Sequence, residues 1–312
     1  MGVGSRRSSR QGTARVLAVV TAIATWGLAA LGSTVRVTNS GMGCPSWPLC
    51  YGQLGPIFRF HTILEESHRY TAAIVSVLAF ATLFFVLRQC KSPATRLWAK
   101  IAAGLVIFQA LLGGLTVLAK NAPWTVSVHL VVGLVFLATT TVTAVLAVAG
   151  DRFRGLGGVG ATWGVAAIGA FLLVVISGTV VMSTNAGPAC SSWPLCTVGS
   201  TDLPVIALTH RAVVGLSTLL LLGFVYRGWA VGSAAWRRRS LWLLGLLLLV
   251  VAAGALVAIS KTSPFWADIH LAVAGALWML LMVQVVTVEV PPTSTRDSAL
   301  AATPAGQNGV RP

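Results

Sequence analysis

Eight stretches of this chain are long and apolar enough to cross a lipid bilayer, and no other feature limits its fold as strongly. They lie at about 15–35, 63–87, 97–118, 125–148, 162–182, 205–226, 241–260 and 266–288. A spanning helix needs ~20 mainly apolar residues. Lipid offers backbone amides no hydrogen bonds, so each run must satisfy its own as a helix. Composition agrees: 56% of the chain is hydrophobic and 9% charged, where soluble domains carry about 25% charged residues. Disorder is excluded by the same apolarity and by the 11 Trp and 11 Phe. The expected fold is an all-α integral membrane protein of eight transmembrane helices. The first run follows the basic leader Arg6, Arg7, Arg10 and Arg15, yet it is long and no small-residue cleavage site follows. It reads as a span rather than a signal peptide. Residues 1–14 and 291–312, rich in Ser, Gly, Pro, Thr and Arg, read as disordered tails.

The net charge of +15 raises nucleic acid as a partner, but the basic residues form no single stripe. They sort by loop instead. Eight spans put both termini on one side. That side gathers Arg6, Arg7, Arg10, Arg15, Arg88, Lys91, Arg96, Lys100, Arg152, Arg154, Arg227, Arg237, Arg238, Arg239, Arg296 and Arg311. The other side holds Arg36, Arg59, Lys120 and Lys261, and Arg69 and Arg211 fall inside runs. Basic loops stay in the cytoplasm. Both tails are therefore expected there, with loops 36–61 and 183–204 outside. The positive charge then serves topology and contact with anionic lipid, not nucleic acid.

The two outward loops repeat each other. Thr38-Asn39-x-Gly41-x-x-Cys44-x-Ser46-Trp47-Pro48-Leu49-Cys50 recurs as Thr184-Asn185-x-Gly187-x-x-Cys190-x-Ser192-Trp193-Pro194-Leu195-Cys196, offset by 146. His68-Arg69 recurs as His210-Arg211 at an offset of 142, and Lys120, Pro123 and His129-Leu130 recur as Lys261, Pro264 and His270-Leu271 at 141. The order is kept, so a four-helix unit is duplicated: 15–150 and 151–290. Each unit has an even number of spans. Both copies therefore point the same way, as two tandem four-helix bundles about a pseudo-two-fold axis along the membrane normal.

Four of the five histidines obey the repeat. His68 and His210 open the second helix of each unit and His129 and His270 the fourth, one to one and a half turns inside their runs. Ionisable residues in a membrane point to function. Two imidazoles at matched depth on facing helices can clamp a flat metallocycle. Heme fits this pattern better than zinc, which would need further ligands. Arg69, Arg211, Lys120 and Lys261 stand where they could meet heme propionates or snorkel to headgroups. His61 has no counterpart and reads as a loop surface residue.

Cys44 with Cys50 and Cys190 with Cys196 form two Cys-x5-Cys pairs on the outward side, where disulfides are allowed. They suit either a staple for a loop over the heme pocket or a redox-active pair. Cys90 reads as a thiol at the cytoplasmic end of the second helix. The halves differ ahead of the first histidine: Glu65 and Glu66 stand where the second copy has Ala207 and Leu208. Glu65 shares a helix face with His68 and can carry a proton beside the pocket, or pair with Arg69. Glu66 reads as interfacial. Asp268 precedes His270 by two residues, on another face.

Taken together, Glu65-x-x-His68-Arg69, His129, His210-Arg211, His270 and the paired cysteines resemble the heme A synthases, over nearly all of 15–290. The resemblance implies oxidation of the C8 methyl group of heme O to the formyl group of heme A, for terminal oxidases. By position, His68 and His129 are the axial ligands of the substrate heme iron, and His210 and His270 those of a heme b. Glu65 is the catalytic acid/base, and Cys44, Cys50, Cys190 and Cys196 are the family's cysteine pairs. Heme b is the implied cofactor. The other candidate partners are membrane lipid, a heme O synthase, terminal oxidase assembly factors and a further copy of the chain. The residues alone also permit a diheme electron-transfer cytochrome, a membrane thiol–disulfide oxidoreductase or a heme transporter.

Overall fold

The computed structural model describes residues 12–53, 55, 58–150, 158–198 and 201–287. Both tails' expected disorder, residues 1–11 and 288–312, and the basic residues Arg152 and Arg154 lie outside the described residues. Eight helices follow in order: α1 Gly12–Val37, α2 Phe60–Gln89, α3 Pro93–Leu118, α4 Pro123–Ala149, α5 Gly158–Ser183, α6 Leu203–Val231, α7 Ala234–Ile259 and α8 Pro264–Val286. Each is long and apolar enough to cross a membrane, as a multi-pass membrane protein requires. No strand forms among the described residues beyond a single bridge between Cys50 and Gln53.

The helices outrun the apolar stretches that announce them. α2 begins at Phe60 rather than 63, and α7 at Ala234 rather than 241. Hydropathy marks the lipid-facing part of a helix, whereas its end is set by caps. Ser233 caps α7 by accepting the Trp236 N–H, and Ser92 caps α3 by accepting that of Thr95. Pro93, Pro123 and Pro264 open α3, α4 and α8, where the missing N–H costs nothing. Arg237, Arg238 and Arg239 thus lie within α7 rather than in a loop.

The repeat extends to the backbone. α1 and α5 end on left-handed Asn39 and Asn185 (φ 54° in each), and the next N–H bonds back to Val35 or Val181. The α3–α4 and α7–α8 connections each hold two successive left-handed residues, Lys120-Asn121 and Lys261-Thr262.

Within the first copy α1–α2, α2–α3, α3–α4 and α1–α4 pack closely, whereas α6–α7 and α5–α8 touch sparingly. The second copy is the more open bundle. The copies meet through α1, α4 and α8. Two indoles pin that seam: Trp26 Nε1 donates to Ala272 O at 2.9 Å and Trp278 Nε1 to Leu134 O at 2.8 Å. Each buries a large apolar surface while keeping its polar atom satisfied. Trp278 also stacks on Phe171, at 4.8 Å between ring centroids, within the largest apolar cluster of the molecule.

Candidate functional site

The four repeated histidines stand at one level. His68 lies eight residues into α2, His210 seven into α6, and His129 and His270 six into α4 and α8. At 1.5 Å per residue this is roughly 9–12 Å below the helix starts. They are deeper than the apolar runs suggested, because the helices start earlier. His68 lies within electrostatic reach of His129, and His210 of His270.

Each imidazole rests against a glycine of the preceding helix. A Cβ at Gly32 would meet His68 Cε1 at 2.9 Å, and one at Gly113 would meet His129 Cε1 at 3.4 Å. The same holds at 3.2 Å for Gly178 with His210 and at 3.0 Å for Gly254 with His270. A side chain at Gly32 would collide with its ring, one at Gly178 or Gly254 would crowd it, and one at Gly113 would only touch it, so each ring packs directly on bare backbone. These glycines keep the repeat offsets of 146 and 141, so comparing the two copies would have revealed them.

The far ring nitrogens separate the halves. His270 Nδ1 bonds Val250 O at 2.9 Å, and a carbonyl only accepts. His210 Nδ1 bonds Ser177 Oγ at 2.8 Å. The Ser177 hydroxyl proton is committed to Val174 O, so Ser177 accepts here too. The His270 ring therefore carries hydrogen on Nδ1 and presents Nε2 as a lone pair, the form that binds iron, and the Ser177 contact suits the same form of His210. In the first half His68 Nδ1 and His129 Nδ1 are buried with no hydrogen-bond partner among the described residues. The residues matching Ser177 and Val250 are Leu31 and Gln109. The donor set and the glycine cradles fit a bis-imidazole heme in each half, with ring orientation fixed in the second only.

Above each pair lies a cysteine loop. Cys44–Cys50 and Cys190–Cys196 are both closed disulfides, and Cys90 is buried outside them. Arg69 donates to Ser46 O at 2.8 Å and Cys44 O at 3.0 Å. Arg211 repeats this with Ser192 O and Cys190 O, both at 2.7 Å, and the third contact to Pro194 O at 2.9 Å matches a longer one from Arg69 to Pro48 O at 3.4 Å. Each arginine clasps its loop to the helix that bears the histidine. Lys120 and Lys261 sit in the tight turns noted above.

The first loop has further ties. Glu65 is buried, pairs with Arg69 and accepts the Cys44 N–H at 2.7 Å. Thr62 donates to Gly43 O at 3.0 Å. Trp47 lies on Gly114, where a Cβ would meet the indole at 2.9 Å. His61 belongs to the first turn of α2 rather than to a loop, and its Nδ1 pairs with Ser40 Oγ at 2.8 Å. Glu66 is buried rather than interfacial. Its carboxylate and the sulfurs of Cys44 and Cys50 lie within 4.8 Å of one another, but oxidised sulfurs are not thiolate metal ligands. Asp268 accepts from Thr34 at 2.7 Å, tying α8 to α1.

Comparison with known proteins places this architecture. A family profile described as cytochrome oxidase assembly protein, COX15-CtaA, matches residues 15–282. The chain is 29% identical over 289 residues to the heme A synthase of Shouchella clausii, covering 85% of this chain and 92% of that protein. It is 26% identical to the heme A synthase of Bacillus licheniformis, over 78% of this chain and 84% of the relative. Against that of Geobacillus kaustophilus the identity is 26%, over 88% and 92%.

Proposed function

Because the chain belongs to the COX15-CtaA family of cytochrome oxidase assembly proteins, we propose that it is a heme A synthase, a membrane enzyme that oxidises the C8 methyl group of heme O to a formyl group. Substrate heme binds the first half between His68 and His129. A resident heme b binds the second between His210 and His270 and supplies a one-electron relay. The observation that carries this division is the state of the four Nδ1 atoms. A second-shell hydrogen bond fixes an axial histidine and strengthens its bond to iron. The second half has this at both rings and so suits a permanent cofactor. The first half has it at neither, and so suits a heme that must enter and leave.

If His68 and His129 filled both axial positions, the substrate iron would have no open site for oxygen. Each round would then add one water oxygen to the methyl carbon and release two protons and two electrons, the electrons leaving one at a time through the heme b that His210 and His270 would hold, toward a one-electron acceptor outside this chain. Glu65 takes the proton lost at the methyl carbon. It stands three residues before His68 on the same helix face, and Arg69 and the Cys44 N–H hold it under the closed loop. A second round gives a geminal diol, which loses water to the aldehyde. The charge pattern along the chain supports cytoplasmic termini with both cysteine loops outside.

Pigment extraction from purified variants tests the division. His210→Ala should lose heme b, while His68→Ala should keep heme b and lose heme O and heme A. Glu65→Gln should keep both hemes while heme A formation falls about 10²-fold or more. Loss of heme b from His68→Ala but not from His210→Ala would reverse the assignment. Formyl oxygen drawn from O2 rather than from labelled water would overturn the water scheme.

A further inference from the structure

Several residues that set the two copies apart gather at one place. The offsets of 146 and 142 carry Ser40, His61, Glu65 and Glu66 of the first half to Ala186, Leu203, Ala207 and Leu208 of the second. Polar or ionisable side chains thus stand in the first half where the second has only apolar ones. If Glu65 takes the proton lost at the methyl carbon, as proposed above, it must pass that proton on before the next round. Glu65 is buried, so its carboxylate is restored only if a neighbour carries the proton out.

His61 stands where that neighbour is needed. It lies in the first turn of α2, four residues before Glu65. The two side chains therefore share a helix face, with Cβ atoms roughly 5–6 Å apart. Both reach the same short stretch of the first cysteine loop. His61 Nδ1 pairs with Ser40 Oγ at 2.8 Å, Thr62 donates to Gly43 O at 3.0 Å and Glu65 accepts the Cys44 N–H at 2.7 Å. Gly43 also lies directly on the His61 carbonyl, where no Cβ would fit. The start of α2 and the loop are thus held tightly together. The two groups differ in access: Glu65 is 4% exposed, whereas His61 is an exposed residue at the loop face.

A short chain of hydroxyls sets the form of the His61 ring. Thr38 Oγ1 donates to Thr34 O at 2.7 Å and lies 2.7 Å from Ser40 Oγ. With the Thr38 proton so used, Ser40 donates to Thr38 and is left to accept from His61. That suits a ring with hydrogen on Nδ1 and a lone pair on Nε2. Nε2 is then the atom that takes up a proton. Ser40 is fully buried and holds the ring in place, as Ala186 in the second copy has no oxygen to do.

The other ionisable neighbours offer no such path. Arg69 pairs with Glu65, but a guanidinium carries only donors and no acceptor for a proton. Glu66 is itself buried.

We propose that His61 is the proton exit of the first half: it takes the proton of Glu65 across one bridging water and releases it to solvent at the loop face, with Ser40 holding its ring. The step moves a proton only. The Glu65 carboxyl gives its proton to the water, and the water gives one of its own to Nε2. Glu65 returns to the carboxylate, and the imidazolium loses its proton to bulk water. No bond to carbon forms or breaks, and no electron moves. A water can bridge two polar groups at little cost, and the Glu65 carboxylate has lone pairs for it besides those facing Arg69 and Cys44.

His61→Asn separates a relay from a mere tie to the loop, because the Asn amide can still donate to Ser40 but carries no proton onward. The purified variant should keep heme b and bind heme O as the parent does. Its heme A formation in dilute buffer should fall on the order of 10-fold, less than the loss of about 10²-fold or more in Glu65→Gln, because slower paths through water remain. Added 2-methylimidazole, whose methyl group hinders it as an iron ligand, should restore the rate of His61→Asn and leave Glu65→Gln unchanged. Parental turnover by His61→Asn overturns the proposal, as does a loss that the added base does not relieve. A second readout needs no turnover. With heme b bound and heme O absent, the infrared C=O band of the protonated Glu65 carboxyl is identified by its absence from Glu65→Gln. Its shift on transfer to D2O should be about 10-fold slower in His61→Asn, and equal rates overturn the relay. If His61→Asn fails to retain heme b, Ser40→Ala carries the comparison: turnover should slow and recover with the added base, and any other result overturns the proposal. Normal heme A formation by Glu65→Gln would instead overturn Glu65 as the acid/base.

Discussion

At the scale of single residues, the proposed function rests on one nitrogen atom in each of four histidines. The histidines and their pairing are legible in the sequence, because a charged or polar residue inside an apolar run stands out. The partner of each ring is not. Ser177 lies 33 positions from His210 and looks like any small polar residue in α5. Only its mismatch with Leu31 in the other copy marks it. Ser177→Ala should leave the His210 ring without its anchor. Loss of a second-shell partner typically costs about 10- to 100-fold in metal affinity, so heme b should dissociate that much more readily, with heme O binding in the first half unaltered. A heme b affinity equal to the parent's would show that the Ser177 hydrogen bond has no part in holding the ligand.

At the scale of elements, each cysteine loop is a cap with three restraints: a disulfide, an arginine clasp from the helix below and a serine hydroxyl bonded across the turn. Ser46 donates to Leu49 O and Ser192 to Leu195 O, each at 2.6 Å. The sequence displayed the cysteines and the arginines but left the arginines' role open between propionates and headgroups. The fold adds a role that neither reading named, since the guanidinium groups of Arg69 and Arg211 satisfy carbonyls of the loops that fold back over their helix ends. With the clasp in place, we propose that the disulfide acts as a staple. A loop this short gains only about 2 kcal/mol from closure. Replacing Cys190 and Cys196 together by Ser should therefore lower thermal stability modestly and leave both heme b content and heme A formation intact. Collapse of heme A formation with heme b retained would make the pair redox-active instead.

At the scale of the whole molecule, duplication supplied two similar bundles that have since diverged. The first is tightly packed around small residues, and the second is more open around its histidines but filled with Leu, Phe and Trp below them. The seam through Trp26 and Trp278 ties the two halves together, as the proposed electron relay between them would require. Basic-residue asymmetry gives the orientation we propose for that body in the membrane. A membrane-impermeant thiol reagent should label Val198→Cys in intact cells, at the exposed end of the second cysteine loop, and should label Lys91→Cys, between α2 and α3, only after lysis. The opposite pattern would invert the topology and put the pockets at the cytoplasmic face.

What the sequence determined by itself follows from properties local to the chain. Apolar length sets the eight spans, loop charge sets their expected direction, and comparison of the chain with itself exposes the repeat, the four histidines and the Glu65 asymmetry. What only the tertiary structure decided depends on segments far apart in the chain coming together. It placed the glycines behind the rings and gave the second pair of histidines acceptors that the first pair lacks. It also turned Arg69 and Arg211 onto carbonyls and left the buried Gln109 Oε1 without a partner among the described residues. A hydrogen bond needs two partners within about 3 Å, and one-dimensional pattern carries no such distance.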